Sequence, residues 1–408
     1  MRILVYGLNY APELTGIGKF TGEMCSYLAA QGHEVRVITA PPYYPAWKIK
    51  KGYSGKRYKT ERLEGVKVVR CPLWVPVKPS GLKRMAHLFS FAVSSFPAAL
   101  AEAVLWRPDI VFTVEPAIFS APGAWVAALA GGARSWLHIQ DFEIDAAFDL
   151  GIIKGSVMKS IVTGLEKLLM NRFDTVSTIS PRMLERLAAK GVDGRQGFLF
   201  TNWVDSASIF PQQRGNALRE ELGIPGSKTV LLYSGNMGEK QGLEIIIESA
   251  RLLSGRNDLL FILCGDGAVK NKLVESAKGL DNVLFIELQP LEKLNDLLNL
   301  ADMHLLPQKS DVEDLVMPSK LLGIFASGKP VIATAHKGTQ VALAITGRGL
   351  VTRPGDARAF TEAILALSDD PALRKRYGEA ARSYCVENWS KAEVLSRFEQ
   401  KLINMTTK

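Results

Sequence analysis

At 408 residues, 47% hydrophobic and 22% charged, the chain has material for two domains with a core each, and it carries no low-complexity tract or short-period repeat. Cys25, Cys71, Cys264 and Cys385 lie far apart without CxxC or Cys/His grouping, which excludes a zinc-ribbon or disulfide framework and suits a reducing cytoplasm. The net charge of +9 resides in the first half: residues 1–200 hold 25 Lys+Arg against 16 Asp+Glu, while residues 201–408 are balanced.

The opening MRILVYGLNY reads as a first strand, Ile3–Gly7, with no cleavage pattern of a signal peptide. A helix is expected over Lys19–Gln31, with Phe20, Met24, Tyr27 and Leu28 on one face and Gly32 as its left-handed cap. Val35–Thr39 is the next strand. Between Lys48 and Arg84 stand 12 basic residues, with Glu61 and Glu64 the opposing charges and Tyr53, Tyr58 and Trp74 interleaved. Lys48, Lys50, Lys51, Lys56, Arg57, Lys59, Lys83 and Arg84 are therefore expected to dock on an anionic lipid surface. Leu82–Leu105 follows as about twenty mostly apolar residues. His87, Ser90, Ser94, Ser95, Pro97 and Glu102 make it a poor spanning helix, so it is expected to be a core helix with one end at a membrane.

Ile110–Val114, Ser135–Ile139 and Thr175–Ser180 read as further strands separated by helical stretches. A break near Phe200–Gly215 has turn chemistry and no sustained periodicity. The alternation then restarts with strands around Thr229–Tyr233, Leu259–Gly265, Asn282–Ile286, Met303–Pro307 and Pro330–Thr334. An amphipathic helix closes the chain. Alternation of this kind predicts an α/β fold of two doubly wound Rossmann-like halves, residues 1–200 and 201–385, with 386–408 packing back on the first. Ligands of such sheets bind at the carboxyl ends of the strands, so the cleft between two facing domains is the expected active site.

Four segments point to one ligand class. In YSGNMGEKQGLEIII, Gly235, Gly238 and Gly242 let backbone amides approach a ligand, and Lys240 adds a charge before a helix start, a seat for a diphosphate. Gly16 and Gly18 open the helix after the first strand, but their GxGxxxG spacing is not the dinucleotide fingerprint, nor is the loop a Walker motif, because Phe20 stands where Ser or Thr is required. NAD and ATP are disfavoured. HIQDFEID places His138 beside three carboxylates at a strand end: His138 to bind a sugar hydroxyl or stabilise charge, Asp141 or Glu143 to orient it or bind acceptor. No DxD triplet occurs, so no metal is expected. In DLVMPSKLLGIFASGKPVIA, Ser319 and Lys320 open a helix and offer a hydroxyl, amides and an ammonium to phosphate or ribose.

Together PELTGIGKFTGEM, HIQDFE, TISPRM, TNWVD, GNMGEKQG, GDG and MPSK…GKPVIA resemble, in order and along nearly the whole chain, the retaining GT-B glycosyltransferases of family 4. The resemblance is greatest to the fucosyltransferase branch of colanic-acid-type exopolysaccharide synthesis. It implies a GT-B fold with a deep interdomain cleft, GDP-L-fucose as donor, a polyprenyl-diphosphate-linked sugar as acceptor, no cofactor, and a peripheral place on the cytoplasmic face of the plasma membrane. It also implies roles. Gly16 and Gly18 would supply the acceptor-side and diphosphate-side amides and bind donor together with Gly235, Asn236, Gly265, Asp266, Ser319 and Lys320; Glu13 beside them, with Asp141 and Glu143, would bind acceptor, and His138 and Lys240 would be catalytic. Two departures stand out: Asn236 where many relatives have arginine, and Gly323 where many have glutamate; Glu313 or Asp314 are candidate substitutes. The alternatives are a nucleotide-sugar epimerase or hydrolase of the same fold and, in a different class, a basic nucleic-acid-binding protein. For the latter no recognition motif is present, so no nucleic-acid partner is expected.

Overall fold

The computed structural model describes residues 1–115, 119–142, 156–212, 217–310 and 318–407. The chain divides into two compact units, Met1–Thr201 with Leu395–Lys408, and Asn202–Val394.

The first unit runs β1 (Arg2–Gly7), α1 (Gly16–Ala30), β2 (Glu34–Thr39), β3 (Lys59–Leu63), β4 (Val66–Arg70), α2 (Gly81–Trp106), β5 (Ile110–Glu115), α3 (Ala121–Gly131), β6 (Arg134–Ile139), α4 (Ser156–Met170), β7 (Thr175–Thr178), α5 (Pro181–Ala189) and β8 (Gly197–Leu199). Among the described residues its sheet has the order β3-β4-β2-β1-β5-β6-β7-β8. All neighbours are parallel except β3 and β4. The central strands are apolar on both faces, as a parallel sheet covered by helices requires: Ile3, Leu4, Val5 and Tyr6 are fully buried.

The second unit runs α6 (Ala217–Glu221), β9 (Thr229–Ser234), α7 (Glu244–Leu252), β10 (Leu259–Cys264), α8 (Lys270–Ser276), β11 (Val283–Ile286), α9 (Leu294–Leu300), β12 (Met303–Leu306), α10 (Lys320–Ala326), β13 (Val331–Thr334), α11 (Gln340–Ile345), β14 (Gly349–Thr352), α12 (Ala357–Ser368), α13 (Pro371–Asn388) and the start of α14 (Lys391–Thr406). Its parallel sheet has the order β11-β10-β9-β12-β13-β14.

Three features depart from the sequence reading. The stretch expected as a basic loop contains an antiparallel hairpin, β3–β4, turned by Glu64 and Gly65, both at positive φ, the geometry of a two-residue primed turn. Part of its charge is spent internally. Arg70 is buried and donates to Glu61 and to the Ala40 carbonyl, and Lys67 and Arg36 both bind Glu102 of α2. Second, α2 is not a core helix throughout. Its stripe Phe91, Ser95, Ala99 and Ala103 is buried, whereas Leu82, Phe89, Val93, Val104 and Leu105 are exposed, and only 28% of its most apolar window is covered. Third, the chain rejoins the first unit inside α14, at Leu395, rather than at residue 386 near the end of α13. Trp389 stacks on Phe325 of α10 at 5.2 Å, while Phe398 stacks on Phe200 at 4.2 Å and fills a cluster with Phe112 and Trp136.

Candidate active site

In the second unit the ligand-facing edge is built of backbone. After β9 the chain turns at Gly235, φ +126°, and after β10 it turns at Gly265, φ +149°, and Gly267, φ +152°. A Cβ on Gly265 would lie 2.0 Å from the Gly235 carbonyl, and one on Gly267 would lie 2.4 Å from that of Met237. Glycine alone lets these two turns lie against each other. Met237 N–H donates to Asp266 O (2.7 Å) and Val269 N–H to Met237 O (3.0 Å), locking the pair. Asn236 and Asp266 project to solvent, and Asp266 Oδ1 accepts from the Gly267 amide.

Lys320 leans across the first of these turns. Its Nζ donates to Tyr233 Oη at 2.7 Å and lies 4.2 Å from that ring's centre, and its aliphatic stem occupies the space a Gly235 side chain would need. Tyr233 in turn donates to Asn236 O. Burial, with no carboxylate partner among the described residues, lowers the Lys320 pKa to about 8. An ammonium so placed is compensated best by an arriving anion. Ser319 stands at the start of α10 with its hydroxyl making no capping bond. Lys240 is exposed on a 3₁₀ turn, Glu239–Gln241, ahead of α7 and separated from it by Gly242 in left-handed conformation. Gly238 is held by Gln241, whose Oε1 accepts its N–H. The Gly323 Cα faces Leu298, 3.2 Å from where a Cβ would stand. Glu143, Glu313 and Asp314 lie outside the described residues.

In the first unit side chains do the building. Gly16, φ +62°, starts α1, and Gly18 has no room for a Cβ because Glu13 Oε2 would stand 2.6 Å away. Glu13 is buried. Its Oε1 accepts the amides of Tyr43 and Tyr44 (3.0 Å each), and its Oε2 accepts from Asn9 Nδ2 (2.9 Å). Burial raises its pKa against the opposing effect of these bonds. The expectation that Glu13 binds acceptor is thereby corrected: its oxygens are engaged by the protein, and it ties the loop after β1 to the loop after β2.

His138 requires a similar correction. It is 3% exposed, with Nδ1 2.8 Å from Ser177 Oγ and Nε2 3.1 Å from Gln140 Nε2. With Gln140 donating to Nε2, the ring proton sits on Nδ1 and goes to Ser177. Phe112 and Phe200 cover the ring, and burial lowers its pKa to about 3. His138 is an interior, neutral residue behind Gln140, where apolar packing of the β5–β7 layer has drawn it in.

Asp141 lines a concavity of about 610 Å³, with Asn9, Gly16, Tyr43, Trp47, Arg84 and His87 among its walls. Surrounding protein displaces water from the Asp141 carboxyl and raises its pKa, and Arg84 opposes this. Tyr43, Trp47 and His87 were not singled out for a site from the sequence; the only signal was that His87 falls in register with the inward stripe of α2. Arg84, expected at the lipid surface, faces this concavity. Lys48, Lys50, Lys51, Lys56, Arg57, Lys59 and Lys83 are exposed, Lys59 paired with Glu61.

Residues 15–203 match the model of the glycosyl transferase 4-like domain, and residues 216–384 that of glycosyl transferases group 1. A protein of Escherichia coli (strain K12) named as the colanic acid biosynthesis glycosyl transferase WcaI is 44% identical over 98% of both chains. The chain belongs to the family 4 glycosyltransferases. Solved structures agree on the fold of this glycosyltransferase. Sucrose-phosphate synthase from Thermosynechococcus elongatus superposes with a TM-score of 0.75 at 18% identity, covering 100% of this chain and 99% of its own. The Anabaena protein HepE, solved with UDP and glucose, gives 0.67 at 14% identity over 99% and 100%. The fold is GT-B, two Rossmann-like units each with a parallel sheet.

Proposed function

We propose that this glycosyltransferase moves L-fucose from GDP-L-fucose, with retention of anomeric configuration and without a metal, onto a polyprenyl-diphosphate-linked sugar in exopolysaccharide biosynthesis. The observation that carries the reading is the end-to-end similarity to a relative named for colanic acid biosynthesis. The geometry of the second unit supports the metal-free part. Breaking the sugar–phosphate bond leaves its electron pair on the diphosphate, and Lys320 at the Gly235 turn, with Lys240 nearby in sequence, supplies positive charge for it. The acceptor hydroxyl oxygen bonds to the anomeric carbon on the face the phosphate leaves, and its proton passes to the departing phosphate oxygen. Nucleoside diphosphate and a lipid-linked oligosaccharide result, so no protein base is required.

The same reading seats the first unit on anionic lipid at the cytoplasmic face of the plasma membrane. Exposed Lys48, Lys50, Lys51, Lys56, Arg57 and Lys83 supply the charge, and the apolar face of α2 supplies Leu82, Phe89 and Val93. A second stripe of Met158, Ile161, Leu165 and Leu168 lies open on α4. Reversing Lys48, Lys50 and Lys51 to Glu should reduce sedimentation with vesicles of anionic lipid; an unchanged bound fraction defeats the membrane assignment.

The donor assignment is tested by thermal shift against GDP, UDP, ADP and dTDP, with NAD as control. GDP at a hundred times its Kd should stabilise by about 2.7 kcal/mol, and Lys240→Ala should lose most of that. Stabilisation by UDP alone would keep the glycosyltransferase and discard fucose. Release of GDP from GDP-L-fucose at full rate without acceptor would favour a hydrolase.

A further inference from the structure

His87 sits in the middle of α2 and is 1% exposed. Its Nδ1 lies 2.6 Å from the Trp74 carbonyl oxygen. A carbonyl only accepts, so Nδ1 carries the proton and Nε2 of the neutral ring is a bare acceptor. That Nε2 has no hydrogen-bond partner among the described residues, although it is buried. Buried polar atoms are nearly always satisfied, so each exception needs a reason. The ring cannot turn to find another partner, because Tyr43 packs on it at 4.8 Å and Trp47 at 5.3 Å between ring centres. Trp47 itself is held at φ +50°, a conformation non-glycine residues rarely adopt and one that functional sites sustain. All three rings line the 610 Å³ concavity, a size within the roughly 300–1,000 Å³ of small-molecule sites.

The rest of that concavity selects the ligand class. Both α1 and α2 begin at it, with Gly16 and Gly81 on its wall. Neither helix has an acidic residue in its first turn, and neither Thr15 nor Ser80 caps it with a side chain. Two helix starts and the Arg84 guanidinium favour an anion with several oxygens. Asp141 repels such a group at its own position but accepts hydroxyl hydrogens. The ligand is thus polarised: phosphate toward the helix starts, hydroxyls toward Asp141 and His87, and a sugar face against Trp47.

We infer that this concavity reads the sugar of a sugar-diphosphate acceptor, and that His87 Nε2 selects it by accepting a hydrogen bond from one sugar hydroxyl. The inference rests on the proposed acceptor class and adds the residue that discriminates within it. His87 acts on binding and takes no part in bond breaking.

Intrinsic fluorescence, with Trp47 in the cavity as reporter, would follow titration of the full-length protein with farnesyl-diphosphate-linked glucose, galactose and N-acetylglucosamine, without nucleotide sugar. His87→Asn keeps a donor for the Trp74 carbonyl but is too short to supply an acceptor at the Nε2 position, whereas His87→Gln reaches it with its amide oxygen. Affinity should fall roughly tenfold in His87→Asn and recover to within about threefold in His87→Gln. For the sugar that binds, one monodeoxy derivative should weaken the wild type about tenfold and leave His87→Asn unaffected. Equal affinities in the wild type and His87→Asn, or identical deoxy penalties in both, would overturn the inference and mark Nε2 as satisfied by water. If His87→Asn does not fold, the exposed Arg84→Gln decides: it should weaken the diphosphate-linked sugar roughly tenfold and leave the methyl glycoside unchanged, and equal weakening of both overturns the polarity. No saturable binding of any acceptor, with GDP binding intact, overturns the acceptor half of the proposed function together with this inference; loss of GDP binding overturns the donor half alone.

Discussion

The two units place their ligand-facing groups at the same address, the carboxyl ends of parallel strands, but build them from different material. In the second unit the edge is main chain: Gly235, Gly265 and Gly267 at positive φ, with no room for a Cβ on Gly265 or Gly267 and one lysine laid across the Gly235 turn. In the first unit it is side chain: Glu13 tying two loops, and Tyr43, Trp47, His87 and Arg84 drawn together from separate segments. A diphosphate presents the same oxygens whatever nucleoside or sugar it carries, so amides and an ammonium suffice for it. A sugar is known by its hydroxyl pattern, and that demands oriented side chains.

If this contrast is correct, the gravest single change lies in the main-chain edge. Gly265→Ala puts a methyl group 2.0 Å from a carbonyl oxygen at a φ of +149°, so both turns must move. A loss of roughly 3 kcal/mol or more is expected. It is read as destabilisation of the second unit in urea denaturation, with nucleotide binding lost. A variant that melts like the wild type would show the two turns to be pliant and break the comparison at its base.

Next in size is Lys320→Met, which keeps the stem over Gly235 and removes the charge. Turnover should fall about a hundredfold, with circular dichroism unchanged. The wild type offers a pH test of the same group. Burial lowers the Lys320 pKa to about 8, below its unfolded value, so the ammonium is charged below pH 8 and neutral above it. Affinity for a nucleoside diphosphate should therefore decline as pH rises through 8, and binding above that pH should take up a proton. The stability linkage runs the other way. The folded state binds this proton less tightly than the unfolded chain, so this group's contribution disfavours folding at neutral pH and is relieved between about pH 8 and 10.5. Calorimetry in two buffers of different ionisation enthalpy measures the uptake; none at pH 9 would remove Lys320 from the diphosphate site.

The smallest effect belongs to the side-chain edge. Glu13→Ala frees the amides of Tyr43 and Tyr44 and should cost roughly 1–3 kcal/mol. Its distinguishing mark is kinetic: kcat/KM for acceptor falls while nucleotide affinity holds. A drop in nucleotide affinity instead would mean that Glu13 serves the donor and that the two units are not divided as described.

Much of the second unit could be read in advance because its signals are local. A buried strand, glycines at short intervals and an apolar helical stretch announce a strand, turn and helix within fifteen residues, and Ser319-Lys320 announces a helix start. Register was less legible: Lys240 falls on a separate 3₁₀ turn because Gly242 adopts the left-handed conformation, which residue type permits without requiring. In the first unit local reading misled. HIQDFE brings Asp141 to the wall of the concavity, yet His138 faces inward onto Ser177 and two phenylalanines. Glu13 was noted for its place beside the glycines, and only its three donors reveal that it is structural.

By itself the sequence determined the alternation of strand and helix, the two-unit α/β architecture and the glycines that permit close approach, because periodicity and backbone freedom are properties of neighbours along the chain. The tertiary structure alone decided which polar groups are satisfied and which are left open. Arg70 in the basic stretch is buried among acceptors, His138 is boxed, and His87, a residue that looked only like a blemish in an apolar helix, keeps a nitrogen with no partner among the described residues. Hydrogen-bond partners come from segments tens of residues away, and no local pattern specifies them.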